Sequence, residues 1–433
     1  MTDVQLILIV ALPLLLLVGV PIYAAIGLVG FAASWTMGSD LVFAAQSIFN
    51  GVDNFALLAI PAFILAGNIM EKGGLTHDII RIFRKMFGHV HGSLGIITIL
   101  SCMFFAAISG SGPGTVAAIG SIMIPSMIRY GYPAPYAASI TATGGSLGIL
   151  IPPSNPMIIY AIIANVSIAD VFAAGMIPGL LMGIVLVATG YFTAKRSGAV
   201  VASIHEEEDG SDSLGSLIWK AKFALFLPIL VLGGIYSGLF TPVEASVVAV
   251  AYAFLVAKFV YSRLNIAALN DAFVLTHKIS GALMIVVACS ALLAKVITFE
   301  MIPQQLSEAM SEISTNPLII LLLINIFLIF IGTFMETMSA IIILAPILVP
   351  LVTSLGINPV HFGIILMVNT QIAFLTPPLG VNLFVASQIS QVPIEKISRA
   401  ILPFLFALLS VLALVTLVPQ LSLALPEFLR SLR

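Results

Sequence analysis

Two stretches of this chain gather polar and helix-breaking residues inside otherwise apolar sequence. The first is Ser109-Gly110-Ser111-Gly112-Pro113-Gly114-Thr115, and the second is Gly332-Thr333-Phe334-Met335-Glu336-Thr337. Each is followed downstream by a proline break, Ile151-Pro152-Pro153-Ser154-Asn155-Pro156 in one case and Thr376-Pro377-Pro378-Leu379-Gly380 in the other. Glycine and proline release backbone amides and carbonyls from helical pairing. At membrane depth, freed carbonyls and hydroxyls suit a small hard cation, and freed amides suit a carboxylate. The expectation is that Ser109, Ser111, Gly112 and Thr115 frame one sodium site with Gly144, Gly145 and Ser146. Its counterpart would be framed by Gly332, Thr333, Met335, Thr337, Thr370, Thr376 and Gly380. Pro152, Pro153, Ser154, Asn155, Glu336, Pro377, Pro378 and Asn382 are expected to meet a substrate or to support the tips. Against this stands the ordinary fate of a Ser or Thr in an apolar helix, a bond to a carbonyl of its own helix. The paired pattern is what favours a site.

Glu336 is the sharpest single residue, an acid in an apolar region, where ionisable groups are costly and commonly functional. It either contacts a cation or substrate, braces the tip, or is satisfied by nearby amides. Glu244 follows Pro242 at a helix start and reads as a cap. Lys295, near a span end, reads as snorkelling. The six histidines are scattered. No metal-ligand spacing, nucleotide loop or Ser-His-Asp pattern stands out, and sodium is the only ion expected. Cys102 and Cys289 lie in apolar segments and read as packing residues.

The elements that must position these groups follow from composition. Of 433 residues, 60% are hydrophobic and 8% charged. That excludes a soluble globular or disordered chain. Long apolar runs without alternation indicate an all-α polytopic membrane protein and exclude a barrel. A net charge of -2 without a basic cluster gives no reason to expect nucleic acid. Spans are expected over 4–18, 22–37, 55–70, 171–194, 223–237, 245–260, 279–299 and 401–418, with a polar loop bounded by Asp40 and Asp53. Each tip is flanked by apolar runs of about 13 residues, about 20 Å of helix and too short to cross a core of about 30 Å. They read as re-entrant hairpins over 93–129 and 317–355, followed by broken helices over 134–165 and 359–390. Leu75, Ile79, Ile82, Phe83 and Met86 make the apolar stripe of an interfacial helix carrying Arg81, Arg84 and Lys85. A second interfacial segment near Met301 to Ile313 carries Glu308 and Glu312.

A shift of 225 residues brings Pro125, Gly131, Pro152-Pro153 and Pro178 onto Pro350, Gly356, Pro377-Pro378 and Pro403. Residues 1–198 and 223–433 therefore read as two repeats of five transmembrane helices and one hairpin, joined by a cytoplasmic linker over 199–222. The linker holds the acidic run Glu206-Glu207-Glu208-Asp209. Five is odd, so the repeats are inverted, an architecture of secondary transporters. With the linker in the cytoplasm, all 17 Lys and Arg except Lys295, Arg430 and Arg433 fall on that side, and both termini fall outside.

At these motifs the chain resembles a known family. Gly110-Ser111-Gly112-Pro113-Gly114-Thr115-Val116-Ala117-Ala118-Ile119-Gly120 is similar to the first-hairpin signature of the large membrane subunit of TRAP (tripartite ATP-independent periplasmic) transporters. Ile151-Pro152-Pro153-Ser154, Gly238-Leu239-Phe240-Thr241-Pro242-Val243-Glu244-Ala245 and Thr376-Pro377-Pro378-Leu379-Gly380 resemble its other signatures. The resemblance implies a sodium-coupled importer of organic acid anions, sialic acid first and C4-dicarboxylates second, in a bacterial inner membrane. It implies a separate small four-helix membrane subunit and a periplasmic substrate-binding protein as partners. It implies an elevator mechanism in which hairpins and broken helices move as a block against a scaffold. The alternatives are a sodium- or proton-coupled carboxylate transporter working without a binding protein, a channel, and an intramembrane enzyme using Glu336. The last lacks a second acid or histidine near the tips, so no enzyme is expected.

Overall fold

The computed structural model describes residues 3–90, 92–196, 213–314, 316–377 and 380–432, and among these every regular element is a helix. The acidic run 206–209 and Pro378 lie outside the described residues. The chain starts with α1 (Asp3–Leu6), a π-helical turn and α2 (Leu12–Leu17), then α3 (Ile22–Thr36) and α4 (Leu41–Val52). The last of these corrects the loop expected between Asp40 and Asp53. Ala44 and Ser47 recur at helical spacing and are buried, and Gly51 lies where an added Cβ would come within 2.3 Å of Ala291. There follow α5 (Ala59–Lys72), the amphipathic α6 (Leu75–Phe87), α7 (Ser93–Ser109), α8 (Gly112–Arg129), α9 (Ala134–Ser146), α10 (Asn155–Ile163) and α11 (Ile168–Arg196).

The second part begins with α12 (Leu214–Tyr236), which starts inside the stretch 199–222 read as linker. Ser213 caps it through Ser216 N, so the polar residues there form the first turns of a helix. Next come α13 (Pro242–Leu255) and α14 (Ile266–Phe299). At 34 residues, α14 begins well before the expected Ile279. Then follow α15 (Ile302–Ile313), α16 (Pro317–Gly332), α17 (Thr337–Ser354), α18 (Pro359–Ala373), α19 (Val381–Ser390), α20 (Ile394–Ala400), α21 (Leu402–Leu417) and α22 (Gln420–Ser431). Element bounds recur at one spacing. Gly112–Arg129 and Thr337–Ser354 are 18 residues each and begin 225 apart, as do Ala134 and Pro359.

Among the described residues six helices are long and apolar enough to cross a bilayer, and α20 with α21, bent by 54°, makes a seventh. The ten expected spans are reached only by counting shorter helices and helix pairs. The hairpin arms correct one expectation. α7 has 17 residues and α8 has 18, not about 13. Short arms therefore do not prove re-entry. The chain reversal at Gly110, in the left-handed region at φ 59, and the packing of α7 along α8 are what make the hairpin.

The helices sort into two packing groups, which meet where α5 lies on α7 and α14 on α17. In one, α14 lies against α3, α4 and α5, and α5 against α13. Glycines let these backbones close up. An added Cβ on Gly30 would stand 3.3 Å from Leu292, and one on Gly27 would stand 3.1 Å from the Cys289 sulfur. Small residues serve this purpose in membranes because lipid tails are as apolar as the helices themselves. Asn68 Nδ2 donates to Thr276 Oγ1 at 2.9 Å, and Arg263 Nη1 donates to Gly74 O at 3.0 Å, within this group. The other group contains α7 to α11 and α16 to α22. There, Tyr136 donates to Gly190 O at 2.9 Å, and the Arg430 guanidinium pairs with Asp170.

Candidate functional site

The first tip is built by α7 ending and α8 beginning. Ser111 is the N-cap, and its hydroxyl accepts from Gly114 N at 3.3 Å. Thr115 Oγ1 donates to Ser111 O at 2.7 Å and lies 3.0 Å from Ser109 Oγ. The Ser109 and Thr115 hydroxyls thus gather on the Ser111 carbonyl, and the Ser111 hydroxyl caps the helix start beside them. A Cβ on Gly148 would meet Ser111 O at 2.5 Å, one on Gly145 would meet Val116 at 2.1 Å, and one on Gly110 would meet Pro153 O at 2.8 Å. The break 147–155 therefore presses directly on the tip, and glycine is required where it does. The Pro152–Pro153 bond is cis. Ser154 Oγ donates to Ile149 O across the break.

The second tip turns between α16 and α17. Glu336 is the N-cap of α17, and its Oε2 accepts from Met338 N at 3.0 Å and Ser339 N at 3.3 Å. It stands 225 residues after Ser111 and performs the same capping task, with a carboxylate in place of a hydroxyl. Of the readings open for Glu336, satisfaction by amides is the one seen here. Gly332 approaches α18 closely, since a Cβ there would lie 2.6 Å from Ala373 Cβ. Met335 and Thr337 are buried.

The two tip-and-break assemblies exchange parts. The second half of the first broken helix, α10, packs on α17 and α18. The second half of the other, α19, packs on α8 and α9. Two bonds fix the exchange. Tyr160 donates to Pro359 O at 2.5 Å, and Asn382 Nδ2 donates to Ala142 O at 3.2 Å. Gly112 faces Asn382.

Several expected hydroxyls only serve their own helices. Ser146 donates to Thr143 O, Thr333 to Phe330 O, Thr370 to Met367 O and Thr376 to Ile372 O, each at 2.7 to 2.9 Å. Gly144 packs on Cys102, and Gly380 turns the chain at φ 37. Other oxygens are buried without a protein partner: Asn155 Oδ1 and Asn382 Oδ1 beside the first tip, and Thr337 Oγ1 at the second. Burying such groups unpaired costs about 1–3 kcal/mol each, so they favour a bound partner.

Sequence reasoning missed a polar network. Asn369 Nδ2 donates to Asn325 Oδ1 at 2.9 Å, and Asn325 Nδ2 donates to Thr416 Oγ1 at 3.0 Å, tying α16 to α18 and α21. The signal was available. Asn325 is the one polar side chain in α16. Gln371 is fully buried nearby in sequence. Glu244 is a cap as expected, in a reciprocal box with Thr241. Among the described residues no three His, Cys, Asp or Glu gather into a metal site.

Comparison with known proteins gives this geometry a context. The family model described as the tripartite ATP-independent periplasmic transporter, DctM component, matches residues 9–421. An isethionate TRAP transporter permease of Oleidesulfovibrio alaskensis is 42% identical over 89% of this chain, which spans 60% of that relative's length. A C4-dicarboxylate TRAP transporter large permease of Pseudomonas aeruginosa is 42% identical over 89% of both chains. A sialic acid TRAP transporter large permease of Vibrio cholerae is 37% identical over 90% of this chain and 91% of its own. Among solved structures, the Alcanivorax borkumensis YdaH transporter aligns with a TM-score of 0.64 over 87% of this chain and 88% of its own, at 16% identity. That likeness concerns the fold alone. The relatives are named as permeases, not enzymes. Matched along nearly its whole length, and built of apolar helices, the chain belongs to the DctM component family of tripartite ATP-independent periplasmic transporters, as a multi-pass large permease subunit of the inner membrane.

Proposed function

We propose that this chain is the transport subunit of a sodium-driven importer of a small organic acid anion, delivered by a periplasmic binding protein. A separate small membrane subunit completes the assembly. The exchange of broken helices between the two tips is the observation that carries the reading. It brings each tip, with its helix start, against the break of its own half and links the two halves through α10 and α19.

At the first tip Ser109, Ser111 and Thr115 hydroxyls, with Asn155 Oδ1 and Asn382 Oδ1, supply hard oxygen ligands for sodium. At the second, Thr337 Oγ1 and the carbonyls around Gly332 and Thr376 take that role, and Glu336 holds the tip. The anion docks between the tips. With no Lys or Arg in either tip sequence, its charge is met by the start of α8 and by the bound cations, because Glu336 already caps the amides of Met338 and Ser339 at the start of α17. Its class is that of the relatives' substrates, a C4-dicarboxylate, isethionate or sialic acid. The recurrence of bounds at 225 residues supports two inverted repeats, over 1–198 and 223–433, with both termini periplasmic. The grouping of the helices, joined through α5–α7 and α14–α17, supports an elevator motion of the α7–α11 and α16–α22 block along those contacts against the rest.

Uptake into proteoliposomes tests this. The chain, its small subunit and the matching binding protein are reconstituted with labelled succinate, isethionate or sialic acid and an imposed sodium gradient. The expected result is uptake of one of these that needs both sodium and the binding protein. Uptake needing neither would contradict the proposal.

A further inference from the structure

The two arms of the second hairpin, α16 and α17, scarcely touch. Between them, and closed on the third side by α2, lies a cavity of 510 Å³. Leu12 and Leu16 line one wall, Phe330 and Leu344 the arms, and Phe334 and Met335 the tip. Every lining residue is apolar. The mouth opens sideways onto the outer surface, where Phe330 is 63% and Phe334 53% exposed. Depth follows from a bond at the other end of the same helix. Gln5 Nε2 donates to Gln305 Oε1 at 2.9 Å, so the start of α1 is level with α15, which leads into the hairpin. Leu12 to Leu16 stand about 10–16 Å further in at about 1.5 Å per residue, inside a hydrocarbon core of about 30 Å.

We infer that this fork is a binding site for one acyl chain of a membrane lipid. An apolar cavity of this kind stays dry and takes apolar ligands. Its volume is that of a small-molecule pocket. Acyl chains are the apolar molecules present at this depth, and the open side faces them. A tail seated here fills the fork, restores dispersion contacts along both arms and rests on Met335, the residue before Glu336. It thereby wedges the second tip against α2. The inference does not depend on sodium or on the identity of the transported anion.

The test uses the full chain in detergent, with Trp35 and Trp219 replaced by Phe. Phe334→Trp reports from the fork, and Leu14→Trp, on the 56% exposed outer face of α2, is the control. The probe is a phospholipid brominated at mid-chain, titrated into the micelles. The expected result is saturable loss of Phe334→Trp emission, half complete at about a tenfold lower lipid fraction than for Leu14→Trp. Filling the fork with Leu344→Phe, or separately with Leu12→Phe/Leu16→Phe, should remove the saturable phase. Equal, unsaturating quenching at both positions would overturn the inference. So would saturable quenching that survives both filled variants. Loss of the phase on adding the small membrane subunit would assign the fork to protein and overturn it too.

Discussion

The two hairpins have second arms of equal length and matching register, yet different forces hold them. In the first, α7 and α8 pack along each other, and glycines at 110, 145 and 148 admit the backbone of the break to the tip. In the second, α16 and α17 diverge, and the arm α16 is tied sideways by Asn325 to Asn369 and Thr416. Helices in a bilayer gain little from hydrophobicity toward one another. Close backbone packing and buried hydrogen bonds are the remaining means. The two hairpins use them in different proportion. The position that is Gly148 in the first half is Ala373 in the second, and there the glycine has moved to the tip side, at Gly332.

Breaking the packed side should have the largest effect. Gly148→Ala places a methyl 2.5 Å from Ser111 O, a backbone atom that cannot swing aside. Overpacking of this kind costs about 1–3 kcal/mol, and uptake should fall to background while protein still reaches the membrane. Near-normal uptake would show that the tip is not seated against the break.

Breaking the tied side comes next. Asn369→Leu leaves Asn325 Oδ1 buried without its donor, costing about 0.6–2 kcal/mol in a bilayer setting. The detergent-solubilised protein should melt earlier, whereas Asn325→Leu with Asn369→Leu together should recover part of the loss, because both ends of the Asn–Asn bond are then removed and the Thr416 hydroxyl can turn to a carbonyl of its own helix. No recovery in the double variant would mean the pair is not coupled.

The two caps sharpen the comparison at the tips. Ser111→Ala removes a cap worth about 1 kcal/mol and one proposed sodium ligand, so it should raise the sodium concentration for half-maximal uptake. Glu336→Gln keeps an acceptor for the same two amides and should retain the fold with a smaller loss of uptake. The smallest effect is expected from Thr376→Ala, whose hydroxyl already bonds Ile372 O. Its shift in sodium half-saturation should be below that of Ser111→Ala. An equal or larger shift would show that this hydroxyl turns to the ion.

Much of this was legible because glycine and proline interrupt helices wherever they stand. The starts of α8, α17 and α18, the Thr241–Glu244 box and the amphipathic α6 all follow from local rules. What was hidden depends on distant partners. α4 contains Gln46, Ser47 and Asn50 between two aspartates and reads as a loop until α14 covers Ala44 and Gly51. The early turns of α14 carry Asp271, His277 and Lys278, which obscured a helix running on past the apolar core. Asn325 finds Thr416 across 91 residues, a pairing no periodicity reports. At the candidate sites the hydroxyl-bearing positions were visible, but which of them turn back to their own helices is decided by geometry, as Ser146 and Thr370 illustrate.

The first tip and break are proposed to bind sodium. The most direct test is calorimetric titration of the purified chain with sodium chloride, matched against potassium chloride, for wild type and for Ser111→Ala/Asn155→Ala. The expected result is a saturable, sodium-specific heat in wild type, weakened at least about tenfold in the double variant, a difference of about 1.4 kcal/mol. A wild-type titration indistinguishable from potassium, or an unchanged sodium response in the folded double variant, would contradict it.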